Sequence, residues 1–152
     1  MTSRSAVFLI PLLFLACAGT GASGDSVVLK GQRFKVEIVD SQEEQMRGLM
    51  FREELGADAG MLFVYAAPEP QAFWMKNTRI PLDILFFDDA ARYLGAQLNV
   101  PTCRGDPCPT YPGPAPARYV LELNAGRSEA LGLELGDPLV LPSTLTEEAL
   151  KP

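Results

Sequence analysis

The clearest pattern in the chain is an early period-two alternation, in which Phe34, Val36 and Ile38 interleave with Lys35 and Glu37. Alternation of this kind marks a strand with one buried face. Residues 27–29 read as a second short strand, joined to the first across a Gly31-Gln32 turn. Ser41-Gln42-Glu43-Glu44 has the form of a capping box, in which hydroxyl and carboxylate satisfy the free donors of a helix start. It predicts a helix reaching Met50, with Met46, Leu49 and Met50 on one face.

The remainder reads as more short strands. Residues 61–65 form one, ended by Pro68 and Pro70, and 72–76 and 82–87 form two more. Both faces of 82–87 are apolar apart from Asp83, which marks a central strand and a carboxylate at least partly buried. Asp88-Asp89-Ala90 turns the chain into a strand over 92–100. Further strands follow at 119–123, where Glu122 stands out of line with its apolar neighbours, and at 138–141. Ser128 is placed to cap a short helix that Gly132 closes. The fold expected is mostly β (α+β), a small barrel-like curled sheet of short strands with one or two short helices. It occupies 27–142 as a single domain, with 143–152 as a tail.

The first residues follow a different pattern. Arg4 precedes an apolar run over 6–15 that is too short to span a bilayer. Leu15-Ala16-Cys17 resembles the end of a bacterial lipobox, with Phe14 where such motifs carry Leu. The expectation is a signal peptide over 1–17, lipidation at Cys17 and a flexible tether over 18–26 rich in Gly, Ser and Ala. Ordinary secretion with cleavage near Ala18 or Ala22 is the alternative. Either way the protein is exported, and the lipid would hold it at the periplasmic face of a bacterial membrane.

Composition narrows the chemistry. The formal net charge of −6 becomes −7 once Arg4 leaves with the leader, which argues against nucleic acid as a partner. The chain has no histidine, so Ser-His and Cys-His nucleophiles and imidazole metal sites are excluded. No metal or cofactor is called for. Cys103 and Cys108 lie in a proline-rich stretch over 101–116, and in an oxidising compartment they read as a local disulfide.

The most distinctive stretch is Phe73-Trp74-Met75-Lys76-Asn77-Thr78-Arg79-Ile80-Pro81-Leu82-Asp83-Ile84-Leu85-Phe86-Phe87. Taken with Arg47-Gly48-Leu49-Met50, Met61-Leu62-Phe63, Cys108-Pro109, Tyr111 and Leu121-Glu122-Leu123-Asn124-Ala125-Gly126, it resembles the signature of domain-of-unknown-function family 192. The resemblance covers nearly all of 34–141. It implies a small, mostly β, usually exported fold and no established activity.

Within that stretch Trp74, Lys76, Asn77, Thr78 and Asp83 are the expected ligand-binding residues. Trp74 offers a stacking platform, or else a core aromatic. Lys76 is the nearest partner in sequence for Asp83, either as a corner-fixing ion pair or as part of a cleft. Arg47 offers an anion clamp or a solvated helix face, and Glu122 and Asn124 are explained by capping the turn before Gly126. The function expected is a binding or accessory module of the cell envelope, holding a small ligand, a glycan or a protein partner. The alternative is a hydrolase with Asp83 as general acid or base and Lys76 as stabiliser. A third is copper handling by Met46, Met50, Met61 and Met75.

Overall fold

The structure is a computed structural model that describes residues 24–148, so the leader, Cys17 and most of the tether lie outside the described residues. In chain order the elements are β1 (Ser26–Leu29), β2 (Gln32–Val39), α1 (Gln42–Arg47), β3 (Ala59–Glu69), β4 (Ala72–Trp74) and β5 (Leu82–Phe87). Then come β6 (Tyr93–Val100), β7 (Thr110–Pro112), β8 (Ala117–Asn124), α2 (Arg127–Leu131), β9 (Leu139–Val140) and α3 (Ser143–Glu148). Seven strands form one sheet in the order β6-β5-β8-β3-β2-β1-β9. Its two ends meet through a bridge between Arg92 and Pro138, and the Tyr93 N–H donates to Asp137 at 2.9 Å. The fold is the mostly β, curled sheet that the short strands predict. Three short helices accompany it among the described residues.

Both faces of the sheet are covered. Inside the curl, Phe34, Leu62, Leu85, Phe87, Leu121 and Leu123 form one core. Outside it, Met61, Phe63, Leu82, Ile84, Phe86 and Val120 pack beneath Leu49, Phe73, Met75 and Tyr111. That double coverage explains why all six residues of β5 are buried, as its unbroken apolar run predicts. The outer layer consists of α1, which crosses between the parallel strands β2 and β3, and of a separate ribbon made by β4 and β7. A Cβ at Gly113 would lie 2.7 Å from the Phe86 ring, so only glycine lets this ribbon settle on the sheet.

Several boundaries differ from the pattern in the sequence, each for a local reason. The helix ends at Arg47 because Gly48 takes φ 45°, so Leu49 enters the core while Met46 stays outside. In the capping box the Ser41 hydroxyl accepts from the Glu44 N–H and itself donates to the Glu44 carboxylate at 2.6 Å. β3 runs through Pro68 to Glu69 because a register shift after Val64 frees the proline from donating to the ladder. The proline-rich stretch contains a strand, β7, and holds the Cys103–Cys108 disulfide with its Cα atoms 5.7 Å apart. The segment expected as a tail begins with α3, where Thr144 donates to Asp25 at 3.1 Å and Leu145 packs on the inner core.

Candidate functional site

α1 and β4 face each other across the outer surface of the sheet and leave a groove of about 660 Å³ between them. Met46, Arg47 and Met50 line it from the helix side, with Tyr65, Phe73 and Trp74 on the other. Two of these large side chains are exposed although apolar, Met46 at 65% and Trp74 at 47%. The volume lies in the range of small-molecule sites, which are mostly apolar with a few placed polar groups. Two other depressions, about 420 and 280 Å³, are lined by Glu37 and Arg52, which pair with each other.

Trp74 is held in place from the side. The Lys76 ammonium sits over its ring at 5.6 Å from the centroid and pairs with Asp106 at 3.4 Å. Asp106 belongs to the disulfide-closed loop, so that loop reaches the groove through Lys76. Asn77 takes φ 58°, its carbonyl accepts from the Phe51 N–H at 2.8 Å, and its amide reaches the Met50 sulfur at 3.9 Å. This residue fastens the chain after β4 to the chain after α1.

Below the groove a narrow recess of about 30 Å³ runs between Gln45, Arg47, Phe63, Phe73, Trp74 and Thr78 to Glu122. Thr78 and Glu122 are both buried, and the Glu122 Oε2 atom has no hydrogen-bond partner among the described residues. Burial pushes the Glu122 carboxyl up from 4.5 to about 8. Tyr65 is pushed to about 12, first by its own burial and then by Glu122 and Glu69. At neutral pH the recess therefore ends in a neutral carboxylic acid.

The five residues expected to bind ligand separate. Trp74 and Thr78 belong to the groove and its recess, and Lys76 and Asn77 brace it from the disulfide side. Asp83 lies elsewhere. It is fully buried on the inner face of the sheet, and its two oxygens accept from the Asn99 N–H at 2.8 Å and from the Ser128 N–H and hydroxyl at 2.9 and 2.5 Å. Asn99 sits in a bulge with φ 52°, and α2 starts at Gly126, which has no side chain to cap it. Asp83 supplies the missing acceptors to both, and Ser128, expected as the cap, donates to it instead. Lys76 and Asp83 do not meet, so the hydrolase arrangement has no geometry here.

The methionines separate too. Met61 and Met75 are buried in the outer core, while Met46 and Met50 line the groove. Among the described residues no cluster of three or more His, Cys, Asp or Glu side chains could hold a metal. Arg47 is exposed and lines both groove and recess.

Glu122 lines the recess and does not cap the turn before Gly126 as the sequence suggests. It lies inside β8, not at its end, paired across the sheet with Met61 and Ile84. Neighbouring Asp83 on β5 pairs with Leu123, so the two carboxyls are adjacent in the sheet and point to opposite faces. The signal was the charge in Val120-Leu121-Glu122-Leu123, at a position where alternation required an apolar residue. Asn124 donates to the Leu55 and Gly56 carbonyls at 2.9 and 3.0 Å and fixes the loop before β3.

Two solved structures resemble this one. A protein of unknown function from Novosphingobium aromaticivorans DSM 12444 superposes with a TM-score of 0.69 at 36% identity, covering 75% of this chain and 82% of its own. A protein from Sinorhizobium meliloti 1021, carrying the provisional label of a transcription regulator, gives 0.69 at 32% identity and covers 78% and 96%. No curated protein matches the sequence. The profile of the family described as "Uncharacterized ACR" matches residues 26–141, which takes in every strand of the sheet, and the chain belongs to that family, DUF192.

Proposed function

We propose that the protein is an exported, lipid-anchored binding module of the cell envelope that takes a small molecule with a flat apolar face in the groove between α1 and β4. The observation that carries this reading is the half-exposed Trp74 on the wall of a 660 Å³ groove that it shares with Phe73, Tyr65, Met46 and Met50, rimmed on the helix side by Gln42, Glu43, Gln45 and Arg47. Leaving such surface in water is unfavourable by about 25 cal/mol per Å², and a ligand stacked on it recovers that energy. The size favours a small molecule, since about 660 Å³ lies within the roughly 300–1,000 Å³ of small-molecule sites. Lys76, Asp106 and the disulfide loop hold Trp74 in place before the ligand arrives, which lowers the ordering cost of binding.

The leader supports the location. Cys17 as the acylated first residue would leave 18–25 as tether, whose extended reach is at most about 25–30 Å. The groove would then work close to the membrane surface. The test is mass spectrometry of the full-length protein extracted from its own envelope. Under denaturing conditions the chain carries acyl mass on Cys17, and Cys17→Ser abolishes it. Under native conditions a discrete small mass is bound to the wild type and missing from Trp74→Ala. An unacylated chain would refute the anchor, and a mass retained by Trp74→Ala would refute the groove.

A further inference from the structure

We infer that Glu122 is the polar anchor of the groove, its carboxyl donating an O–H hydrogen bond to a carbonyl-type oxygen on the flat apolar ligand. This rests on the groove being the binding site and names the chemistry the ligand brings to it. Three observations meet at this carboxyl. It is buried yet Oε2 has no partner among the described residues, an uncommon condition in a folded chain. It ends a recess of about 30 Å³, the size of one water or one carbonyl oxygen, that shares Gln45, Met46, Arg47, Met50, Phe73 and Trp74 with the groove. Its ordinary ionisation is suppressed by burial, so at neutral pH it presents a proton.

The surroundings favour an acceptor over a cation. The charged or titratable groups facing the Glu122 side are Arg47 and Glu43 on α1 and Tyr65 and Glu69 on β3. β5 presents Ile84 opposite Glu122, and β4 presents Phe73 and Trp74, followed by Lys76. Arg47, the charged side chain that lines the recess itself, is positive. An ammonium head entering there would meet a guanidinium and a neutral acid. A carbonyl or carboxylate oxygen would meet a cation, an O–H donor and the neighbouring Thr78 hydroxyl.

The experiment uses three probes of similar shape on the folded full chain: acetophenone, isopropylbenzene and benzylammonium. Binding is read from the single tryptophan's indole N–H resonance between pH 6 and 10. Acetophenone is expected to bind about tenfold more tightly than isopropylbenzene, the worth of one hydrogen bond. Its affinity is flat below pH 7 and falls above pH 8 toward that of isopropylbenzene, about tenfold in all, as the proton leaves. Glu122→Gln keeps a donor and binds acetophenone within about threefold of the wild type at pH 6 with no such pH dependence. Glu122→Leu, which has neither donor nor charge, loses the preference over isopropylbenzene. Benzylammonium binding best and tightening above pH 8 would overturn the inference. Three equal affinities without pH dependence would overturn it too, while leaving the groove intact. No indole shift with any probe would overturn both.

Discussion

Replacing Glu122 with glutamine is expected to stabilise the protein at pH 8 and to leave it unchanged near pH 4.5. In the unfolded chain this carboxyl titrates at its ordinary value of 4.5, and in the fold at about 8. Between those values folding takes up a proton, because the native state holds it more tightly. The stability conferred by the neutral acid is therefore fully present below pH 4.5 and is lost as pH rises toward 8. Each pH unit in that window corresponds to about 1.4 kcal/mol, so a carboxyl moved from 4.5 to about 8 costs about 3–5 kcal/mol by pH 8. Glutamine keeps the shape and a donor and does not ionise, so it escapes the loss. Urea denaturation of both proteins at pH 4.5, 6 and 8 gives the difference directly. The Lys30–Asp137 pair and the other ionisable groups are common to both chains and cancel. The variant should match the wild type at pH 4.5 and exceed it by several kcal/mol at pH 8. Parallel curves across the range would show that Glu122 ionises normally in the fold, and the neutral-acid reading of the recess would fail.

Other substitutions separate the parts of the signature segment. Asp83→Ala strips the acceptor from the Asn99 and Ser128 donors and should cost about 3–5 kcal/mol in denaturant midpoint analysis. A loss below 1 kcal/mol would mean water replaces it without penalty. Met75→Ala, in the packed outer core, should cost about 2–5 kcal/mol, whereas Trp74→Ala should cost about 1.5–2.5 kcal/mol, half of what a fully buried tryptophan loses, because half of its surface is already in water. A loss of about 3–5 kcal/mol at Trp74 would make it a core residue. Joint replacement of Cys103 and Cys108 by serine should cost about 2 kcal/mol, the chain-entropy value for so short a loop, measured against the oxidised wild type.

What the sequence made legible was whatever local chemistry determines. The alternation of Phe34, Val36 and Ile38 gave β2, the Ser41–Glu44 box gave the start of α1, and the unbroken apolar run gave a central β5. The residues it obscured are those whose partners are distant. Asp83 is answered by Ser128, 45 positions away, so sequence proximity to Lys76 was misleading. β4 pairs with β7 across the proline-rich stretch, a contact that no propensity encodes. Glu122 resembled a strand-end cap because the strand read as 119–123, whereas β8 runs from Ala117 to Asn124 and carries the charge in its interior. Trp74 was legible by type as a candidate, and only the fold put Met46 and Tyr65 in the same groove lining.

The most direct test of the groove as the binding site is photocrosslinking in intact cells. Benzoylphenylalanine is placed at position 46, on the groove wall facing Trp74, in the otherwise native full-length chain. The control carries it at Leu135, which is 78% exposed and does not line the groove. Irradiation followed by intact-mass analysis should give one discrete small-molecule adduct at position 46 and none at 135. The same adducts at both positions, or a protein-sized adduct at 46, would contradict a small-molecule site between α1 and β4.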